Sequence, residues 1–267
     1  MNDFINFHYA LQTCDYRNSQ EINRFATDSK YELVKKCVTS FLISVDYVAK
    51  KVPNTKHTIA IFDDQSSEEL IFYFKKLIKH FTCNNISFEF YQIKAGTLMP
   101  SVKKCWDWLE KNGKDMVYQV QDDYLYEKTT IFEMIDIWMQ LKQDTNSDIF
   151  VVPYHDPRHW LTIYRYKPTP RAVIRGAHRY WLQCYDIPCT FMTSKNQFSK
   201  HWDMYEKFLS KDPTEYTLES DTINRIVVDR NVLCLMPFES LALHMQSELE
   251  KDPYIDWKSR WDSVVEL

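Results

Sequence analysis

The densest chemistry in this sequence lies in the segment YQVQDDYLY, residues 118–126. A run of alternating and apolar residues delivers Gln121, Asp122 and Asp123 to its end, and the aromatic Tyr124 and Tyr126 follow. Two adjacent carboxylates repel each other unless a cation binds, and a hard divalent ion takes carboxylate and phosphate oxygens together. The segment therefore points to Mn²⁺ or Mg²⁺ beside a phosphorylated ligand, the alternative being that both acids only cap the next helix. A second charged stretch, 155–179, holds Arg158, Arg165, Lys167, Arg171, Arg175 and Arg179 against the single acid Asp156. Arginine forks match phosphate oxygens, so Arg158, Arg175 and Arg179 are candidates for a diphosphate or an acceptor; a solvated loop face is the alternative.

Only three glycines occur, Gly96, Gly113 and Gly176. Glycine-rich phosphate cradles need several, because backbone N–H groups must approach the phosphate closely, and neither GxGxxG nor GxxxxGK[ST] is present. Any nucleotide diphosphate must then be neutralised by metal or by side chains.

The surrounding pattern alternates strand and helix. INFHYALQ (5–12) reads as a first strand and TCDYRNSQE as its polar turn. Apolar residues at three- and four-residue spacing then predict a helix over 28–50. HTIAIFDD makes a second strand ending in Asp63 and Asp64, and Ser66, Ser67 and Glu69 mark the start of a helix over 68–81. Strands at 86–93 and 116–120, helices at 101–112 and 129–143 and a strand at 148–155 continue the series. The spacing predicts an α/β fold with a parallel, doubly wound sheet flanked by helices, its ligands at the C-terminal strand ends. Beyond 155 the alternation stops, which predicts a less regular second half of the same single domain.

At 45% hydrophobic residues the 267-residue chain can bury a full core. The aromatic share of 15% suits a groove that stacks flat rings or sugar faces, or a merely aromatic core. Seven cysteines without a CxxC pair predict reduced, mostly buried thiols of a cytoplasmic protein. No basic segment followed by an apolar run opens the sequence, and no long apolar stretch predicts a membrane span. A net charge of −4 argues against a nucleic-acid partner.

Four places, TCDYR, DDQSS, GTLMPSVKKCWDW and QDDY, resemble the GT-A glycosyltransferases, especially their family-2 group, over about residues 10–245. The resemblance implies a Rossmann-like GT-A sheet, a UDP- or GDP-sugar donor and a glycan or other hydroxyl acceptor. It places nucleotide contacts on Thr13, Asp15 and Arg17, on Asp64 or Asp63, and on Gln121 and Asp122, with the metal on Asp123. Gln121 departs from the acidic residue that the family usually turns to the ribose. ESDTINR is similar to the family's base-bearing motif, implying Asp221, with Glu219 as rival, as general base of an inverting transfer; Asp221 also suits a helix cap. SLALHMQ puts His244 where many members hold metal or diphosphate, although a histidine among Leu241, Leu243 and Met245 is equally at home in a core. Residues 1–127 then form the nucleotide-sugar half and 128–267 the acceptor-binding, catalytic half.

Other chemistries find no pattern. GxSxG and HExxH are absent, and Pro157 interrupts the His155/His159 pair. A nucleotidyltransferase would use a similar metal-bound aspartate but needs a glycine- and lysine-rich triphosphate loop. A non-catalytic sugar- or nucleotide-binding module is the remaining alternative.

Overall fold

The structure, a computed structural model, describes residues 4–15, 27, 29–155, 172–212, 218–245, 251, 252 and 254–265. Its first half alternates β1 (Ile5–Thr13), α1 (Lys30–Lys51), β2 (Thr55–Asp64), α2 (Glu68–Phe81), β3 (Ile86–Ile93), α3 (Leu98–Asn112) and β4 (Met116–Gln121). Ser67 caps α2 through its side chain, as the sequence predicts. Helix α3 starts three residues earlier than expected because its proline, Pro100, sits in the first turn, where a missing N–H costs no helix bond. It ends at Gly113, where a Cβ would lie 2.5 Å from the Leu109 carbonyl oxygen and 2.6 Å from Val117.

Alternation along β1 shows why both faces of the sheet are covered. Phe7, Tyr9 and Leu11 join the core formed with α1, α2 and α4 (Thr130–Thr145), whereas Ala10 joins the core around α3 and His8 packs against Trp108 of that helix. On the α3 side Trp106 is fully buried against Tyr205 and Phe208. Removing a ring of that size from water is worth about 4 kcal/mol.

After β5 (Tyr124–Tyr126) and α4 come β6 (Phe150–Val151), β7 (Val173–Arg175), β8 (Tyr180–Cys184), β9 (Phe191–Ser194), α5 (Lys195–Lys200), α6 (Trp202–Leu209), α7 (Asn224–Val228), β10 (Cys234–Pro237), β11 (Ala242–His244) and α8 (Trp257–Ser263). The main sheet has the order β3-β2-β1-β4-β9-β6-β10-β8-β7, and a small second sheet pairs β11 with β5. β1 to β4 are parallel over long registers. The chain thus has a mixed α/β fold with a large, mostly parallel, Rossmann-like sheet flanked by helices. The departure from parallel pairing lies in the second half, where β9 runs antiparallel to both β4 and β6. A short turn joins β7 to β8 and leaves no room for a crossover helix, so that pair is antiparallel too. The strand expected over 148–155 shrinks to Phe150–Val151, since Pro153 has no N–H for the ladder. All seven cysteines are free thiols, five of them buried.

Candidate functional site

The parallel strands deliver their terminal acids to one edge. Thr13 ends β1 beside Asp63 of β2, and its hydroxyl donates to the Asp63 carboxylate at 3.1 Å. Asp63 also accepts from the Ser66 N–H at 3.2 Å, and its burial pushes the carboxyl above its ordinary range against these bonds. Asp15 ties the two loops together: it accepts from the Ser67 N–H at 2.9 Å and from the Ser67 hydroxyl, while its own N–H reaches Ser66 Oγ at 3.2 Å. Asp64, fully buried, accepts from the backbone N–H groups of Ala95 at 2.9 Å and Gly96 at 3.2 Å. It thereby anchors the loop before α3, in which Gly96 takes the left-handed φ of 74°. Thr13, Asp15, Asp63 and Asp64 thus stand at one sheet edge.

Gln121, partly exposed, ends β4 in register with Gln12 of β1. The two acids that follow point to different partners. Asp122 accepts from the Cys14 N–H at 2.8 Å and from Lys30 Nζ at 2.9 Å. Burial raises its carboxyl, Lys30 opposes that rise and Asp123 adds to it. Asp123 instead faces His244, with Oδ2 3.4 Å from Nε2. The ring of His244 stacks on Tyr124, centroids 4.6 Å apart, because β11 lies antiparallel to β5 with these two residues in register. The Met245 N–H then closes on the Asp123 carbonyl at 2.8 Å.

Asp221 lies in the turn that leads into α7, yet the cap of that helix is Ile223, with no side-chain bond. Asn224 ties this segment to the loop before β9, accepting from the Ile187 N–H at 2.6 Å and donating to Asp186 at 2.7 Å. In that loop the Cys189 thiol is pushed well above its ordinary range by burial, then by the fields of Glu219 and Asp123. Both carboxylates thus stand within electrostatic reach of one thiol.

Arg179 forks onto Glu133 at 2.5 and 3.1 Å and donates to the Glu239 carbonyl at 2.6 Å, so a carboxylate already occupies its guanidinium. Arg175 is exposed on β7. Arg17 and Arg158 lie outside the described residues. Lys30 and Cys189 escaped the sequence analysis. For Lys30 a signal existed: a lysine opening a helix works against the helix dipole, and an anion must compensate it.

Among the described residues no group of three or more His, Cys, Asp or Glu side chains is arranged to hold a metal ion. Asp123 and His244 offer one carboxylate oxygen and one imidazole nitrogen. A divalent cation held by that pair would need further oxygen ligands from phosphate or water.

No protein-family model matches this chain, and a search among curated proteins gives no match. Solved structures of similar course exist. A UDP-glucose pyrophosphorylase complexed with UDP-glucose has a TM-score of 0.49 at 11% identity, covering 91% of this chain and 94% of its own. A putative glucose-1-phosphate thymidylyltransferase from Bacillus anthracis, in complex with a sucrose, has 0.47 at 12%, covering 98% and 96%. A nucleoside-diphosphate-sugar pyrophosphorylase from Vibrio cholerae RC9 has 0.48 at 8%, covering 96% and 99%. No glycosyltransferase family is shown for this chain. At such identities and scores the likeness stops at the general course of the chain. Among the described residues, no helix is long and apolar enough to cross a membrane.

Proposed function

We propose that this chain is an enzyme acting on a nucleotide sugar, and that it transfers the sugar from a UDP- or GDP-sugar to a hydroxyl of a glycan or other acceptor. The observation that supports it most is the division of the paired acids: Asp122 is held by Lys30 and Cys14, while Asp123 turns to His244. Adjacent carboxylates with separate partners leave Asp123 and His244 to hold Mn²⁺ or Mg²⁺ against the donor diphosphate. When bound, that ion neutralises charge on the leaving diphosphate. The β1 and β2 loops, with Thr13, Asp15, Asp63 and Asp64, enclose the nucleoside, and Gln121 faces the ribose. Glu219 or Asp221 takes the acceptor proton as its oxygen attacks the anomeric carbon opposite the diphosphate, an inverting course. In this assignment residues 1–127 bind the donor and residues 128–267 bring the acceptor and the base.

The second possibility is nucleotidyl transfer to a sugar phosphate, the chemistry in the names of the similar solved structures. Its bond balance differs: pyrophosphate and a nucleotide sugar would yield a nucleoside triphosphate and a sugar 1-phosphate. Incubating the protein with Mn²⁺ and a panel of nucleotide sugars, with and without pyrophosphate, separates the two. Release of nucleoside diphosphate without pyrophosphate supports glycosyl transfer. Triphosphate formed only with pyrophosphate replaces it by nucleotidyl transfer.

A further inference from the structure

Lys30 is a largely buried cation whose partners among the described residues do not use it up. Its side chain is 14% exposed, and among the described residues its Nζ makes one hydrogen bond, to Asp122 Oδ1. An ammonium carries three N–H donors, so among the described residues two are not taken. The second oxygen of Asp122 is already taken by the Cys14 N–H, which fixes the carboxylate that aims the ammonium.

The position of Lys30 is unfavourable for a merely structural lysine. It is the first residue of α1, where the helix terminus is itself positive, and Ser29 already caps that end by accepting from the Glu32 N–H. Burial works toward the neutral amine, yet Asp122 and Asp123 together outweigh it and hold the ammonium charged. A helix start, a buried ammonium and two carboxylates thus converge where the donor diphosphate is proposed to lie. With no glycine-rich cradle in the chain, metal or side chains supply the phosphate contacts that backbone N–H groups provide elsewhere, and Lys30 is a side chain with donors to give.

We propose that Lys30 is a ligand of the donor's diphosphate, its ammonium bridging Asp122 and a phosphate oxygen, so that the site neutralises the diphosphate with a lysine as well as with the metal. This rests on the proposed nucleotide-sugar function and adds a phosphate-binding residue to it. It also assigns Asp122 the task of positioning Lys30.

The test is calorimetric titration of UDP and GDP, with uridine and guanosine as diphosphate-free probes, in the presence of Mn²⁺. The proteins are the full chain, Lys30→Met and the double variant Lys30→Met/Asp122→Asn. Lys30→Met is expected to weaken the diphosphates about tenfold or more and to leave the nucleosides unchanged. The double variant removes both charges together and is expected to stay as weak. Wild-type affinity for the diphosphates in Lys30→Met, or recovery of that affinity in the double variant, overturns the proposal, because Lys30 would then serve only to neutralise Asp122. Should Lys30→Met fail to fold, the double variant carries the comparison, since it leaves no unpaired carboxylate. If the unaltered chain binds neither UDP nor GDP, the nucleotide-sugar function falls first and takes Lys30 with it.

Discussion

The imidazole of His244 lies flat on Tyr124 at an interplanar angle of 11° and points Nε2 at Asp123 Oδ2, 3.4 Å away. Three short elements hold this approach: β5, β11 and the bond from the Met245 N–H to the Asp123 carbonyl. A side-chain pair fixed by backbone pairing would have little freedom to lose on binding the proposed cation. Asp123→Asn is expected to lower nucleoside-diphosphate affinity tenfold or more in Mn²⁺, with a smaller loss in EDTA. Calorimetry in the two conditions checks it, and equal affinity of variant and wild type in Mn²⁺ removes the metal role from Asp123.

Glu219 and Asp221 are the two proposed bases. A base acts in the transition state, so its amide variant should lower turnover about 10²-fold with donor affinity nearly unchanged. Kinetics of Glu219→Gln and Asp221→Asn identify which carboxylate acts. Near-normal turnover in both would favour a retaining course or the nucleotidyl reaction.

Asp64→Ala deprives the N–H groups of Ala95 and Gly96 of their acceptor, at a cost of about 1–3 kcal/mol. The loop before α3 should loosen, and binding of nucleoside mono- and diphosphates should weaken alike. A lowered melting temperature with unchanged nucleotide affinity would confine Asp64 to the loop.

Arg179→Ala strands the largely buried Glu133 carboxylate, which its guanidinium holds below the ordinary range against the cost of burial. Denaturant unfolding should show a loss of about 3 kcal/mol. Diphosphate affinity below the melting temperature should not change. The reverse result, weaker diphosphate at full stability, would return Arg179 to the site.

Acid should destabilise the fold through His57. The ring is buried between the Tyr9 hydroxyl at Nδ1, 2.9 Å, and Thr55 Oγ1 at Nε2, 2.8 Å, and burial lowers its pKa from 6.5 to about 4. The unfolded chain therefore binds a proton that the folded chain refuses. Stability from this group is complete above pH 6.5 and is lost as pH falls toward 4, on the order of 3 kcal/mol in all. Urea unfolding of the wild type and His57→Gln between pH 4 and 7 tests this; an equally steep decline in the variant would assign the loss to other groups.

The local pattern alone predicts most of the first half. The helical stripe of α1, the Ser67 cap of α2, the bounds of β3 and the delivery of Asp63, Asp64, Asp122 and Asp123 to strand ends all follow from periodicity and capping within a few residues. Glycine scarcity likewise predicts that side chains or metal must meet any diphosphate. Tertiary structure decided the rest. Periodicity carries no strand direction, so the antiparallel insertion of β9 between β4 and β6 was not legible. Nor was the partner of a charge: Arg179 and Lys30 are both cations in the sequence, and only packing gives one to Glu133 and the other to Asp122. His244 stood in the sequence between two roles, core and ligand. The register of β11 on β5 sets it against Asp123, because backbone pairing between segments distant in the chain is a property of the folded sheet and is written in neither segment alone.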